Sequence, residues 1–207
     1  MTSTLSAPAF AVIAGTQVRQ ALHGRENEIV ALVEATYRLH CAGDSVNPPS
    51  LFLQFPDQPS DRIIALPASI GGHAGVHGLK WISSFPENVA AGIPRASAVL
   101  ILNDHDSGYP IACLEGSIIS ATRTAALATS AACWMTHNRP PPVRVGFFGA
   151  GLIARHIHTF LNATGWSFDE IGVHDLSTAS EAGFCTYLMR WAPTARITVH
   201  ERPEQLI

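Results

Sequence analysis

The sequence predicts an α/β chain in which a mainly antiparallel-sheet domain is followed by a partial Rossmann domain of the parallel β-α-β-α-β type. Three observations predict it. Residues 50–116 carry β-like runs in succession with no helical pattern between them, which favours antiparallel pairing. Residues 144–199 alternate short apolar runs with helical stretches, the pattern of a parallel sheet. At the start of that alternation "RVGFFGAGLIARHI", residues 144–157, runs from a strand through Gly149-Ala150-Gly151 into a helix. A break at "HNRPPPV" (137–143) divides the chain into expected domains 1–138 and 139–207.

The elements follow in order. Residues 25–41 place Ile29, Val30, Leu32, Val33 and Tyr37 at helical spacing, one amphipathic helix. "NPPS" interrupts it. The β-like runs are "SLFLQF" (50–55), "DRIIALPA" (61–68), "GLKWISSF" (78–85), "ASAVLILND" (96–104) and "YPIACLEG" (109–116). The last two flank "DHDSG", whose Asp and Gly residues suit a tight reversal, so they form a hairpin. Residues 117–136 are Ala- and Thr-rich without Pro or Gly and read as a helix, and the consecutive prolines after them stop it. Then come "VRVGFF", a helix over about 152–163, "EIGVHD", a helix over about 178–191, and "ARITVH".

Composition narrows the function classes. With 47% hydrophobic and 14% charged residues the chain is an ordinary packed globule. A formal charge of −3 at pH 7 lacks the basic stripe of a nucleic-acid binder. No apolar run approaches the roughly 20 residues of a membrane helix. "MTSTLSAPAFAVIAG" has no basic leader, and Cys41, Cys113, Cys133 and Cys185 are scattered, so a cytoplasmic protein with reduced thiols is expected.

The Gly turn carries the cofactor expectation. In Gly149-x-Gly151-x-x-Ala154, the first Gly permits the turn, the second lets a pyrophosphate approach the backbone, and the small third residue packs helix on strand. Asp175 ends the next strand, where a carboxylate accepts from a ribose diol and repels a 2′-phosphate, so NAD is favoured over NADP. The front domain carries three cations in unusual settings. Arg123 interrupts the small, uncharged "SATRTAALATSAA", Lys80 is the lone charge in "GLKWISSF", and Arg95 closes "PENVAAGIPRAS". A guanidinium packed among small residues needs an anionic partner, and together the three favour an acidic small molecule. Two other patterns are weaker. "DHDSG" with Glu115 has a calcium-loop start, but Gly108 and Tyr109 stand where that loop needs Asp/Asn and Gly. His73 and His77 have metal-like spacing in a Gly-rich loop without an evident third ligand; no metal is expected.

"GLKWISSFPEN", "LNDHDSGYP", "SATRTAA" and "GAGLIA", in this order, resemble the ornithine cyclodeaminase and mu-crystallin family. The resemblance implies a homodimer whose front domain supplies a sheet interface and a substrate pocket, with a Rossmann domain holding NAD. It implies that Lys80 and Arg123 bind the substrate carboxylate, that the backbone at Leu152 and Ile153 contacts the pyrophosphate, and that Asp175 contacts the ribose. Arg95 falls where cyclodeaminases carry a Thr, and Ile64 where their pocket has an acid. Both changes suit a substrate with several carboxylates, the kind oxidised by the branch this wording resembles most, which makes a siderophore precursor. Gln54 stands where cyclodeaminases have an Arg, with Arg62 as a substitute. The resemblance also implies that later Rossmann strands and a catalytic Asp follow the last residue of this sequence, leaving Glu115 as the nearby carboxylate to test as a base, beside Lys80 as a catalytic candidate. Residues 1–207 alone are then expected to bind NAD weakly. Cyclodeamination, imine reduction and non-catalytic ligand binding are the alternatives.

Overall fold

The computed structural model describes residues 8–72 and 75–206. His73 therefore lies outside the described residues, as do the first seven residues of the N-terminal stretch. The chain forms two compact units, Met1–His23 with Ala35–Ser120, and Gly24–Glu34 with Ala121–Ile207. The division falls inside a helix, so the Pro-rich segment at 139–142 belongs to the second unit. Two helices, α2 (Glu26–Cys41) and α3 (Ser117–Met135), each contribute residues to both units.

The first unit is a seven-stranded sheet in the order β1 (Ala11–Ile13), β7 (Pro110–Glu115), β6 (Ala96–Asn103), β5 (Val76–Ser84), β4 (Gln58–Ile70), β2 (Ser45–Val46), with β3 (Leu51–Phe55) also paired to β4. Neighbouring pairs from β3 through β7 are antiparallel, and β6 and β7 form the expected hairpin. The exception is β1, which runs parallel to β7. It leads into α1 (Gly15–Leu22), which buries Val18. The sequence reading did not contain β1, α1 or β2: strands of two or three residues hold too little periodicity to register, and β1 is defined by a partner about a hundred positions away.

Register gives this sheet two distinct faces, because paired residues share a face and successive ones alternate. One face carries the row Leu66–Lys80–Leu100–Leu114, then Ile64–Ile82–Ala98, then Gln54–Arg62–Ser84. The other carries Leu51–Ala65–Trp81–Val99 and Pro67–Leu79–Ile101–Cys113–Val12. On that second face Leu51, Leu53, Trp81, Val99 and Val12 are exposed large apolar side chains. Gly78 is dictated by packing, since a Cβ there would lie 2.7 Å from the Ile101 carbonyl oxygen.

The second unit holds a parallel sheet in the order β10 (Arg196–Val199), β9 (Glu170–His174), β8 (Arg144–Phe148), with α4 (Leu152–Ala163) and α5 (Thr178–Trp191) as crossovers. This is the expected β-α-β-α-β unit. Phe147, Ile171, Val173, Ala154, Leu161, Phe184 and Leu188 form its core. The Phe147 and Phe184 rings meet edge-on at 5.1 Å. Burying each such large side chain contributes about 1.5–3 kcal/mol. A second cluster packs Ala125 and Ala126 of α3 and Ile29, Val30 and Val33 of α2 against Phe160 of α4, which explains the small residues of α3: they let helices approach closely. The opposite face of this sheet is polar, with Glu170 bridging Arg144 and Arg196. β8 and β10 are its edge strands.

Candidate functional site

In the second unit the chain leaves β8 at Phe148 and turns at Gly149, whose φ of +95° lies in the left-handed region that L side chains avoid. Its N–H donates to the His174 carbonyl at 2.8 Å, tying the turn to the end of β9. Ala150 is buried and its N–H donates to Asp175 Oδ2 at 2.7 Å. Gly151 is the N-cap of α4. A Cβ built on Gly149 or Gly151 would meet no atom within 4 Å, so open space adjoins the turn. Ala154 is buried in the core, which is the close helix–strand packing expected of the third small position. Leu152 and Ile153 open the helix with exposed side chains, and first-turn N–H groups have no intrahelical acceptor.

Asp175 stands at the carboxyl end of β9. Its Oδ1 accepts from Ser177 N–H at 2.8 Å while Oδ2 holds Ala150. A carboxylate has about four lone-pair positions, so both oxygens can still accept from hydroxyls. Its own N–H donates to Glu181 Oε1 at 2.9 Å. Sequence reasoning missed Glu181; its signal is an acid in the first turn after the Ser177 N-cap, which the helix dipole favours. A free turn, an open approach, helix N–H groups and an acid at the strand end together fit a dinucleotide's pyrophosphate and ribose.

In the first unit Lys80 is half-buried on β5, and its Nζ donates to Ser120 Oγ at 3.4 Å. Arg95 is exposed, with its Nε donating to Ser84 Oγ at 3.3 Å. Lys80 and Ser84 point from the same face of β5, so the register brings Lys80 and the Arg95 guanidinium to one face. Neither serine was singled out in the sequence, because nothing local marks a hydroxyl as a partner across strands.

One expectation needs correction. Arg123 was expected as a guanidinium packed among small residues, but it is exposed. The buried side of α3 is Ala121, Thr122, Ala125, Ala126, Thr129 and Ser130, and position 123 falls off that stripe. Glu115, the carboxylate the sequence offers as a base to test, caps α3. Its Oε1 accepts from Ser117 N–H at 2.7 Å and its Oε2 from Ile118 N–H at 3.0 Å. The cap gives a structural reason for an acid immediately before "GS". Asp104 of "DHDSG" is likewise committed to its turn, accepting from Ser107 N–H and Oγ, which hold its carboxyl below the usual range. His77 stacks on His105 at 4.7 Å and hydrogen-bonds Ser69 Oγ. Among the described residues no group of three His, Cys, Asp or Glu side chains could hold a metal ion. A cavity of 520 Å³ on the polar face of the parallel sheet, lined by Arg144, Glu170, Arg196 and Leu206 among others, touches neither the Gly turn nor the cations.

These features define a class: a chain with a mainly antiparallel sheet unit and a unit of dinucleotide-binding Rossmann type. The chain belongs to the ornithine cyclodeaminase/mu-crystallin family, whose sequence profile matches residues 12–207. It is 45% identical over 106 residues to N-((2S)-2-amino-2-carboxyethyl)-L-glutamate dehydrogenase of Staphylococcus aureus, covering 49% of this chain and 31% of that one. It is 31% identical over 163 residues to the alanine dehydrogenase of Archaeoglobus fulgidus, covering 78% and 47%. Among solved structures, an archaeal alanine dehydrogenase dimer with bound NAD superposes with a TM-score of 0.78 at 25% identity, over 94% of this chain and 57% of that one. The Thermococcus litoralis Δ1-pyrroline-2-carboxylate reductase shares the fold, with a TM-score of 0.79 at 21% identity, over 94% and 58%. The chain thus spans half or less of the length of these two curated relatives.

Proposed function

We propose that this chain is part of an NAD-dependent amino-acid dehydrogenase that oxidises N-(2-amino-2-carboxyethyl)-L-glutamate to 2,3-diaminopropionate and 2-oxoglutarate, a precursor step for a siderophore-type product. The observation that carries the reading is the placement of Lys80 and the Ser84-held Arg95 on one sheet face, beside 45% identity to a dehydrogenase of that name.

Bound NAD would supply the two-electron, hydride-accepting chemistry for oxidation at the glutamyl Cα. The residues of this chain bind and orient. The α4 N-terminal N–H groups at Leu152 and Ile153 receive the pyrophosphate, Gly149 and Gly151 leave it room, Ala154 seats the helix, and Asp175 accepts from the ribose hydroxyls. Lys80, Arg95 and Arg123 hold the substrate carboxylates and so fix the direction of the reacting C–H, and such positioning supplies several kcal/mol of a barrier. Oxidation leaves an imine at the glutamyl carbon. Water adds there, and the C–N bond breaks to release the keto acid and the diamine.

The two relatives cited above are dehydrogenases, and the alanine enzyme matches the larger share of the chain; oxidation of a smaller amino acid is therefore the second reading. Cyclodeamination and cyclic-imine reduction are further activities within the family. The exposed apolar face around Leu51, Leu53, Trp81, Val99 and Val12 is the surface we assign to a second copy of the chain. The test is to supply the whole protein with NAD and each of the triacid, L-alanine and L-ornithine. NADH with 2-oxoglutarate from the triacid alone supports the proposal. Pyruvate from alanine or proline from ornithine, with no 2-oxoglutarate, refutes it.

A further inference from the structure

We infer that Arg62, Ser84 and Arg95 form a second anion subsite, which takes a carboxylate other than the one held at Lys80. The inference rests on the acidic-substrate reading above. It starts from the β4–β5 register, which sets Arg62 directly opposite Ser84. Side chains so paired have Cβ atoms about 4.5–5.5 Å apart on a common face. Ser84 is buried at 8% exposure, and its hydroxyl accepts from Arg95 Nε at 3.3 Å. Ser84 therefore has one arginine directly opposite it across the strand pair and a second hydrogen-bonded to its hydroxyl. On its other flank Arg62 pairs with Gln54, which adds amide donors to the same row.

Two guanidinium groups brought together repel unless an anion lies between them. Among the described residues no carboxylate is within 4.0 Å of either. The acids close in the chain are otherwise placed. Asp61 precedes Arg62, so its side chain leaves the strand on the opposite face, where it is buried and takes a bond from Ser60 Oγ. Glu87 is exposed in the turn Pro86–Val89, and Glu115 caps α3. An arginine fork matches a carboxylate in bidentate fashion, and Arg62 and Arg95 both extend from positions beside Ser84.

The spacing decides the ligand class. Lys80 and Ser84 are four positions apart on β5, roughly 13 Å along the strand, and the row between them is apolar: Ile64, Ile82 and Ala98. Two cationic ends over an apolar floor suit a molecule with carboxylates at both ends and methylenes between. A monocarboxylic amino acid reaches only one end.

The experiment measures binding by calorimetry to the protein and to its R62Q and R62K variants, using malonate, N-((2S)-2-amino-2-carboxyethyl)-L-glutamate and L-alanine. R62Q is expected to weaken malonate and the triacid by about tenfold to a hundredfold while L-alanine stays within about twofold. R62K keeps the charge without the fork and is expected to weaken both by about threefold to tenfold; it carries the test if R62Q does not fold. Unchanged affinity for both malonate and the triacid in the variants, or binding of neither by the parent, overturns the subsite. Malonate bound through Arg62 with no binding of the triacid upholds the subsite and instead sinks the substrate reading.

Discussion

The two glycines of the α4 turn should separate when each is replaced by alanine. Gly149 has φ +95°, a region where an L residue costs about 1–3 kcal/mol. No atom lies within 4 Å of the new Cβ, so the cost is backbone strain alone. Alanine restricts the unfolded chain and returns about 0.4–1 kcal/mol. The net loss for Gly149→Ala is at most about 2.6 kcal/mol and centres near about 1.3 kcal/mol, or roughly 3–5 °C in Tm for a chain of this size. Gly151 has φ −79°, which any residue adopts, and equally open surroundings. Gly151→Ala should therefore change stability by less than about 0.5 kcal/mol. Its Cβ, however, fills the space in which a pyrophosphate meets the backbone, so NAD affinity should fall by more than about tenfold. Thermal denaturation and NAD titration read the two effects separately. Equal losses of stability in both variants would refute the backbone account. Undiminished NAD binding by Gly151→Ala would show that this turn does not hold a nucleotide.

Glu115→Ala removes the acceptor for two N–H groups of α3 and should cost about 1 kcal/mol in urea unfolding; a hundredfold loss of turnover at unchanged stability would instead make Glu115 a base. His158 is buried on α4 with its Nδ1 near the Tyr187 hydroxyl, and burial pushes its pKa below the usual value. The folded state then binds fewer protons than the unfolded one, so this group's effect is absent above about pH 6.5 and lowers stability as pH falls below it. His158→Gln should flatten that part of the stability-versus-pH curve, and an unaltered curve would count against the burial argument. Trp81→Glu places a charge on the exposed apolar sheet face and should convert the protein to a smaller species in light scattering; no change in mass would remove that face as the contact between copies.

Much of this architecture was legible in the sequence because its signals are local. The helices at 152–163 and 178–191 have those bounds in the structure, since caps and 3.6-residue periodicity lie within the segments themselves. The Gly turn was legible for the same reason: a positive φ demands glycine at a fixed place. The pairings were not. That Arg62 faces Ser84, that Arg95 reaches it, and that Lys80 meets Ser120 all depend on strand register and on a helix far along the chain. Arg123 misled because small neighbours suggest burial all round, whereas helical geometry buries one stripe and exposes the rest. Glu115 also caps α3, a role the sequence reading did not assign to it.

The strand that delivers the Gly turn has a second consequence. β8 ends the parallel sheet on one side, so every other amide and carbonyl along its far margin has no ladder partner within that sheet. Phe148 and Val143 stand exposed at its two ends, with no proline or lysine along the strand to discourage an incoming extended segment. An extended segment laid beside β8 would therefore continue the parallel sheet without breaking any pairing already made.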